Sequence, residues 1–371
     1  MKIAFRADAS VQIGTGHAMR CLTLADELAR QGHQCLFICR DHPGHLGELI
    51  AGKGFELHLL ANSERAASPV AGGTDNLYAQ WLGVPWQRDA RQTLELLAPL
   101  AADWLVVDHY ALDVRWEREV AAAVGQIMVI DDLADRDHKC ALLLDQNLGR
   151  KVMDYEQRVP KDCIRLIGPH YALLRPEFAR LRERSLQRRQ HPELKRILIS
   201  LGGVDRTNVT GQVLRALAQT TLAHETELDI IMGAAAPYLD DVREQAAQLP
   251  VRTTVSVNVT DMAERMCLAD LSIGAAGSTS WERCCLGLPV VLVILADNQD
   301  SGARALEAGG AATAIGSTSE ALQTTLPATL ALLSESETLQ RMINAAVKVT
   351  AGDGVGRVVA ALTDVAGGMN D

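Results

Sequence analysis

The chain has 371 residues, enough for two domains of ordinary size, and its 48% hydrophobic content lets each of them bury a core. A formal net charge of −10 and a pI near 5.5 argue against a general binder of nucleic-acid backbones, which carries a basic face, but leave room for a local anion site made of backbone amides. The eight cysteines form no C-x-x-C pair or zinc spacing, Arg6 and Asp8 interrupt any signal-peptide run, and the longest apolar run, "PVVLVILA", is too short to span a bilayer, so a cytoplasmic protein without stable membrane insertion is expected.

Residues 2–8, "KIAFRAD", read as a strand. "GTGHAMR" follows, and Ala18, Cys21, Leu22, Ala25, Leu28 and Ala29 then recur at helical spacing up to Gly32. "QCLFICRD", "FELHLL", "WLVVDHY", "QIMVIDDL" and "ALLLDQN" read as further strands with helical stretches between several of them. Their apolar runs lack strict alternation, the mark of strands covered on both faces of a parallel sheet. "RPEFARLRERSLQRRQHPELKR" breaks the rhythm and reads as a solvated helix and linker. A second α/β series then starts at "RILISLGG" and continues through "LDIIMG", "RTTVSV", "DLSIGAAG" and "PVVLVILA" to a last apolar helix, "GVGRVVAALTDV". The expected division is an N-terminal domain over 1–175, a linker helix over 176–194, a C-terminal domain over 195–350, and a C-terminal helix over 351–371 that crosses back to the N-terminal domain. Two doubly wound Rossmann-like α/β domains imply an interdomain cleft, with ligands at the carboxyl ends of the strands.

Several stretches carry candidate chemistry. In "GTGH" the glycines Gly14 and Gly16 let a ligand approach the backbone, and His17 sits at a helix start. A helix N-terminus favours neutral imidazole, which accepts a proton as a general base must. The spacing is not that of a dinucleotide fingerprint, and a packing or capping histidine is the plain alternative. In "SIGAAGSTSWERCCLGLP", Gly277, Ser278 and Thr279 offer amides and hydroxyls for a diphosphate, and Glu282 a carboxylate for ribose hydroxyls. The T-x-x-E spacing also fits a capping box. Gly202 and Gly203 end the first strand of the second domain, where a tight turn is the simpler reading. Asp108, His109 and Tyr110 end a buried strand, where polar groups line ligands, and Asp108 is alternatively a helix cap. "DDLADRDHKC" follows no calcium-loop pattern and reads as a solvated loop. Tyr78, Trp81 and Trp86 cluster in a chain with 4% aromatics and suit sugar stacking or local packing equally.

"DMAERMCLADLSIGAAGSTSWERCCLGLPVV" resembles the nucleotide half of GT-B glycosyltransferases of the MurG type. "IGTGHAMRCLTLA", "VVDHYALD", "IDDLADRDH", "LLLDQNLG", "GPHYALLRPEF" and "SLGGVDRTN" together look like the UDP-2,4-diacetamido-2,4,6-trideoxy-β-L-altropyranose hydrolase family of pseudaminic acid biosynthesis, a nonulosonic acid pathway. The resemblance covers residue 1 to roughly 310. It implies a GT-B-like fold and a metal-independent inverting hydrolysis in which water attacks the anomeric carbon and UDP departs. No cofactor is implied. Carried over, the proposed base is His17, the sugar-contacting tyrosine Tyr78, the diphosphate turn Gly277, Ser278 and Thr279, and the ribose carboxylate Glu282. Uracil contacts fall near Met262, and Asn298 aligns with the polar stretch that reaches the sugar or ribose. The partner implied is a UDP-sugar; nucleic acid is not expected, and a monomer is the expectation. A MurG-like inverting glycosyltransferase and a non-catalytic nucleotide-sugar binding protein remain as alternatives.

Overall fold

The computed structural model describes residues 1–62 and 76–367. Residues 368–371, the end of the expected C-terminal helix segment, lie outside the described residues. By compactness the chain divides into two units, Met1–Leu173 with the chain from Gly354 onward, and Leu174–Asp353.

The first unit runs β1 (Lys2–Ala7), α1 (Gly16–Arg30), β2 (Gln34–Arg40), α2 (Gly47–Gly52), β3 (Glu56–Leu60), α3 (Trp86–Leu97), β4 (Ala102–Asp108), α4 (Val114–Val120), β5 (Val124–Ile130), β6 (Leu142–Asp145) and β7 (Ile164–Ile167). The strands form one sheet in the order β3-β2-β1-β4-β5-β6-β7, and every pairing is parallel. The connection reverses direction between β1 and β4, the position where doubly wound sheets open a crevice at their carboxyl ends. Ile3, Phe5, Val106, Met128 and Leu144 fill one face of the sheet against α1; Ala4, Ile38, Leu105, Val129 and Trp116 fill the other.

The second unit runs α5 (Pro176–Arg188), β8 (Arg196–Ser200), α6 (Val209–Ala218), β9 (Glu227–Met232), α7 (Leu239–Ala247), β10 (Arg252–Val257), α8 (Met262–Leu268), β11 (Leu271–Ala275), α9 (Thr279–Cys285), β12 (Val290–Ile294), α10 (Asp297–Ala308), β13 (Thr313–Gly316), α11 (Ser319–Leu333) and α12 (Ser336–Ala346). Its parallel sheet has the order β10-β9-β8-β11-β12-β13, so the reversal falls between β8 and β11. The last helix, α13 (Gly354–Gly367), belongs to the first unit, where Val355, Val358, Val359 and Leu362 join the core of Ile3, Phe5 and Leu22.

The arginine-rich stretch read as a solvated linker is instead part of the second unit. Phe178, Ser185 and Arg189 are buried. Arg189 donates to the carbonyls of Met266 (2.9 Å), Ala269 (2.8 Å) and Gly287 (3.0 Å), and Arg182 to those of Val347 (2.8 Å) and Thr350 (3.0 Å). Carbonyls at helix ends lack intrahelical partners, and a guanidinium can satisfy several at once. Charge in this stretch therefore marks buried donors as well as a wet face.

Candidate active site

At the crevice of the first sheet, the loop between β1 and α1 closes on itself. Gly14 donates to the Ser10 carbonyl at 2.8 Å, and the Ser10 hydroxyl accepts from the Ile13 amide at 2.9 Å. Gly14 has φ +83°, a conformation that favours glycine, and the space beside it and beside Gly16 is open. The chain thus enters α1 at Gly16, and residues 17, 20 and 21 share one helical face.

That face meets Asp108 at the end of β4. His17 Nδ1 lies 2.6 Å from Asp108 Oδ1; Arg20 donates to Asp108 from Nε (2.6 Å) and Nη2 (2.7 Å). Asp108 has no exposed surface. Burial alone would raise its carboxyl, but Arg20 and then His17 outweigh burial and hold it well below the usual carboxylate range. An ionised carboxylate only accepts, so His17 donates from Nδ1, and in its neutral form Nε2 is the basic nitrogen. Among the described residues Nε2 has no hydrogen-bond partner.

Arg20 also holds Asp132, from Nη1 at 3.0 Å and Nη2 at 2.8 Å, and Asp132 accepts from the Tyr110 hydroxyl at 2.7 Å. The Tyr110 ring stands edge-on to His17 with centroids 4.6 Å apart, closing a ring of contacts. Trp81 stacks on Tyr110 at 5.6 Å, and Tyr78 packs against both, 4.8 Å from Trp81 and 5.1 Å from Tyr110. Asn76 ties this aromatic segment down, donating to the Tyr110 carbonyl and accepting from the Tyr78 amide. Trp86 stands apart, under the Arg115 guanidinium.

His109 packs inside the first unit. It is buried, its Nδ1 accepts from the Ala111 amide at 3.0 Å, and its Nε2 lies 3.3 Å from Asp8. Burial pushes its imidazole down, so it stays neutral and braces Asp8. Asp8 in turn belongs to a buried network in which Arg6 holds Asp8 (2.6 Å) and Asp89 (2.7 Å), and Arg40 also holds Asp89. The "DDLADRDHKC" stretch is not a solvated loop either. Asp131 and His138 are buried; His138 Nδ1 lies 2.7 Å from Glu117, and Asp131 accepts from Tyr155 at 2.9 Å. Ion pairing across the loop offsets the desolvation that made a solvated loop the expectation. Among the described residues no group of three or more His, Cys, Asp or Glu is placed to hold a metal ion, and no helix is long and apolar enough to cross a membrane.

In the second unit, the other candidates leave the carboxyl ends of parallel strands and so share one edge of the sheet. Gly202 (φ +103°) and Gly203 follow β8 and are exposed; the Gly203 carbonyl accepts from the Gly233 amide. The polar residues behind them serve the helix start: Asp205 accepts from the Val209 and Thr210 amides, both at 2.8 Å, and Asn208, the N-cap of α6, accepts from the Gly211 amide at 3.0 Å. Gly277, Ser278 and Thr279 follow β11. Ser278 is the N-cap of α9 and makes no side-chain cap, so the capping box is not formed. Glu282 lies partly buried, 3.5 Å from Arg175. Burial raises its carboxyl against the pull of Arg175 and Arg283. Asn298 is exposed in the first turn of α10, and Met262 opens α8.

Arg20 and Asp132 were missed as site residues from sequence, whereas Tyr110 was singled out with Asp108 and His109 in "VVDHY". The available signal was Arg20, one turn after His17 on the same helix face.

Two sheets of this order, with glycine turns at both switch points, define a GT-B-like α/β architecture. The solved structure of Acinetobacter baumannii MurG matches it at a TM-score of 0.67 and 18% identity, covering 98% of this chain and 99% of that one. Residues 197–358 match the glycosyltransferase family 28 C-terminal domain. Over a longer span, the chain is 25% identical to the UDP-2,4-diacetamido-2,4,6-trideoxy-beta-L-altropyranose hydrolase of Campylobacter jejuni, across 82% of this chain and 95% of that relative. It is also 25% identical to an uncharacterized protein of Methanocaldococcus jannaschii across 79% of this chain, and spans 55% of that relative's length. The resemblance to the hydrolase seen in the sequence blocks thus reaches into both units.

Proposed function

We propose that the chain is an inverting UDP-sugar hydrolase, acting on UDP-2,4-diacetamido-2,4,6-trideoxy-β-L-altropyranose or a near relative of it. His17 is the general base. Its Nε2 takes a proton from water as the water oxygen attacks the anomeric carbon; the bond from that carbon to the diphosphate oxygen breaks, and UDP leaves with the electron pair. Attack opposite the leaving group inverts the configuration. Because UDP is an activated leaving group, a single base suffices, unlike the paired carboxylates of ordinary glycosidases. The Trp81, Tyr78 and Tyr110 rings beside His17 suit the apolar face of a deoxy sugar.

The nucleotide is assigned to the second unit. Gly277, Ser278 and Thr279 contact the diphosphate through amides and hydroxyls, Glu282 the ribose, Met262 the uracil through backbone, and Asn298 the sugar or ribose. Gly202 and Gly203, like Gly14 and Gly16, admit ligand close to the backbone. The observation that carries the reading is the 2.6 Å contact of His17 Nδ1 with a fully buried, ionised Asp108, which frees Nε2 for proton transfer.

The match to a glycosyltransferase domain supports a second reading, transfer to a sugar acceptor. Incubation with the UDP-sugar alone, followed by proton and phosphorus NMR, separates the two. Release of UDP with free sugar of inverted configuration is expected. Release only when an acceptor is added identifies a transferase.

A further inference from the structure

A histidine bonded to a carboxylate faces a conflict. The carboxylate orients the ring and fixes its tautomer, but it also stabilises the imidazolium, which cannot act as a base. Here a third group stands at the same place. Arg20 Nη2 is 3.4 Å from His17 Nδ1 while the guanidinium engages both oxygens of Asp108.

We propose that Arg20 is a positioning residue that sets the proton affinity of His17: it shares the Asp108 carboxylate, so that Asp108 aligns the imidazole without holding it as a cation. This rests on the reading of His17 as base. The surrounding charges are few enough to account for. On α1 itself, Cys21 approaches Asp108 but burial keeps its thiol protonated. After β4, burial keeps the Tyr110 hydroxyl protonated and His109 neutral. After β5, Asp132 binds Arg20, and Arg136 lies over the Tyr110 ring at 5.7 Å. Behind His109, Asp8 is matched by Arg6. Trp81 and Tyr78 contribute neutral rings. The groups bearing on His17 most directly are therefore Asp108 and Arg20, with Asp132 controlling how much of the Arg20 charge is already engaged.

This arrangement makes two substitutions act in opposite directions. Arg20→Gln removes the compensating cation, so the ring titration of His17 moves up by about one pH unit or more. Asp132→Asn releases Arg20 charge toward Asp108 and His17, and the titration moves down. Arg20→Lys keeps the charge and stays close to wild type. The probe is the full chain carrying ring-labelled histidine, followed by NMR across pH; with ten histidines, His17→Gln assigns the signal. In the UDP-release assay the acidic limb of kcat/KM shifts with the ring titration, while KM changes less. A purely structural role for Arg20 gives no such pair of opposed shifts. The proposal is overturned when both variants leave the His17 titration in place or move it the same way. Should Arg20→Gln fail to fold, a downward shift in Asp132→Asn upholds the proposal, and no shift or an upward one overturns it. Failure of the wild-type chain to release UDP from its sugar nucleotide strikes the functional reading instead, and the ring titration still decides the role of Arg20 by itself.

Discussion

Arg283 lies so close beneath Gly274 that a Cβ at that glycine would sit 2.0 Å from Nη2 and 3.0 Å from the Ser200 carbonyl. The guanidinium donates to the Ala275 carbonyl at 3.0 Å and is fully buried, and burial lowers its pKa to about 10. Gly274 in "SIGAAG" is thus a packing requirement of β11. Gly274→Ala should destabilise the protein by about 1–3 kcal/mol, as overpacking does. Urea unfolding measures this. Gly274→Ala combined with Arg283→Met should recover part of the loss, and simple addition of the two effects would show that they do not share the space.

His17→Gln should lower kcat by roughly 10²–10⁴-fold, the usual worth of a general base. UDP affinity, measured by calorimetry, should stay within about twofold because the assigned nucleotide contacts lie in the second unit. Loss of UDP binding with retained turnover would reverse both assignments.

Asp108→Asn keeps the shape of the side chain but withdraws the anion that His17 and Arg20 share. The expected result is a fall in kcat of at least about tenfold with little change in KM, since the tautomer is no longer enforced. Asp108→Ala should in addition cost about 3–5 kcal/mol of stability, because Arg20 keeps a buried charge with only Asp132 to meet it.

Trp81→Ala opens the aromatic wall beside His17. KM for the UDP-sugar should rise by about tenfold, in line with the loss of one stacking contact and its buried area, while Kd for UDP alone holds. An equal loss for UDP alone would remove Trp81 from the sugar side.

His138 supplies a pH test. Burial would lower its pKa below the ordinary 6.5, but Glu117 and then Asp131 outweigh burial and raise it. The folded chain therefore binds this proton more tightly than the unfolded chain. The stabilisation is complete below pH 6.5 and is lost as pH rises through the raised value. Across about pH 5.5 to 8.5, urea-derived stability of the wild type should fall more steeply than that of Glu117→Gln. Parallel curves would deny the pair its role.

Much of the architecture was legible because buried parallel strands announce themselves as unbroken apolar runs. "WLVVD" and "VVLVI" have few other homes. The glycine turn before His17 and the buried acid at position 108 were legible for a related reason: polar residues at the end of such runs have to meet a ligand or one another. What stayed hidden was long-range pairing. Nothing in "KIAFRAD" indicates that Arg6 pairs with Asp89, far along the chain. His138 looked solvated for lack of a visible partner, and that partner, Glu117, is separated from it by a whole strand. The same holds for Arg182 and Arg189, whose acceptors are backbone carbonyls and carry no signature in side-chain chemistry.

The placement of α13 has a consequence for biosynthesis. Residues 1–173 leave the ribosome before α13, the helix that packs into the core of Ile3, Phe5 and Leu22, has been made. Its first residue must be small, because a Cβ on Gly354 would meet the Ala172 carbonyl at 2.4 Å. A message cut short before that codon yields a front half with its lining bare, a substrate for chaperones and proteases however well the rest has folded.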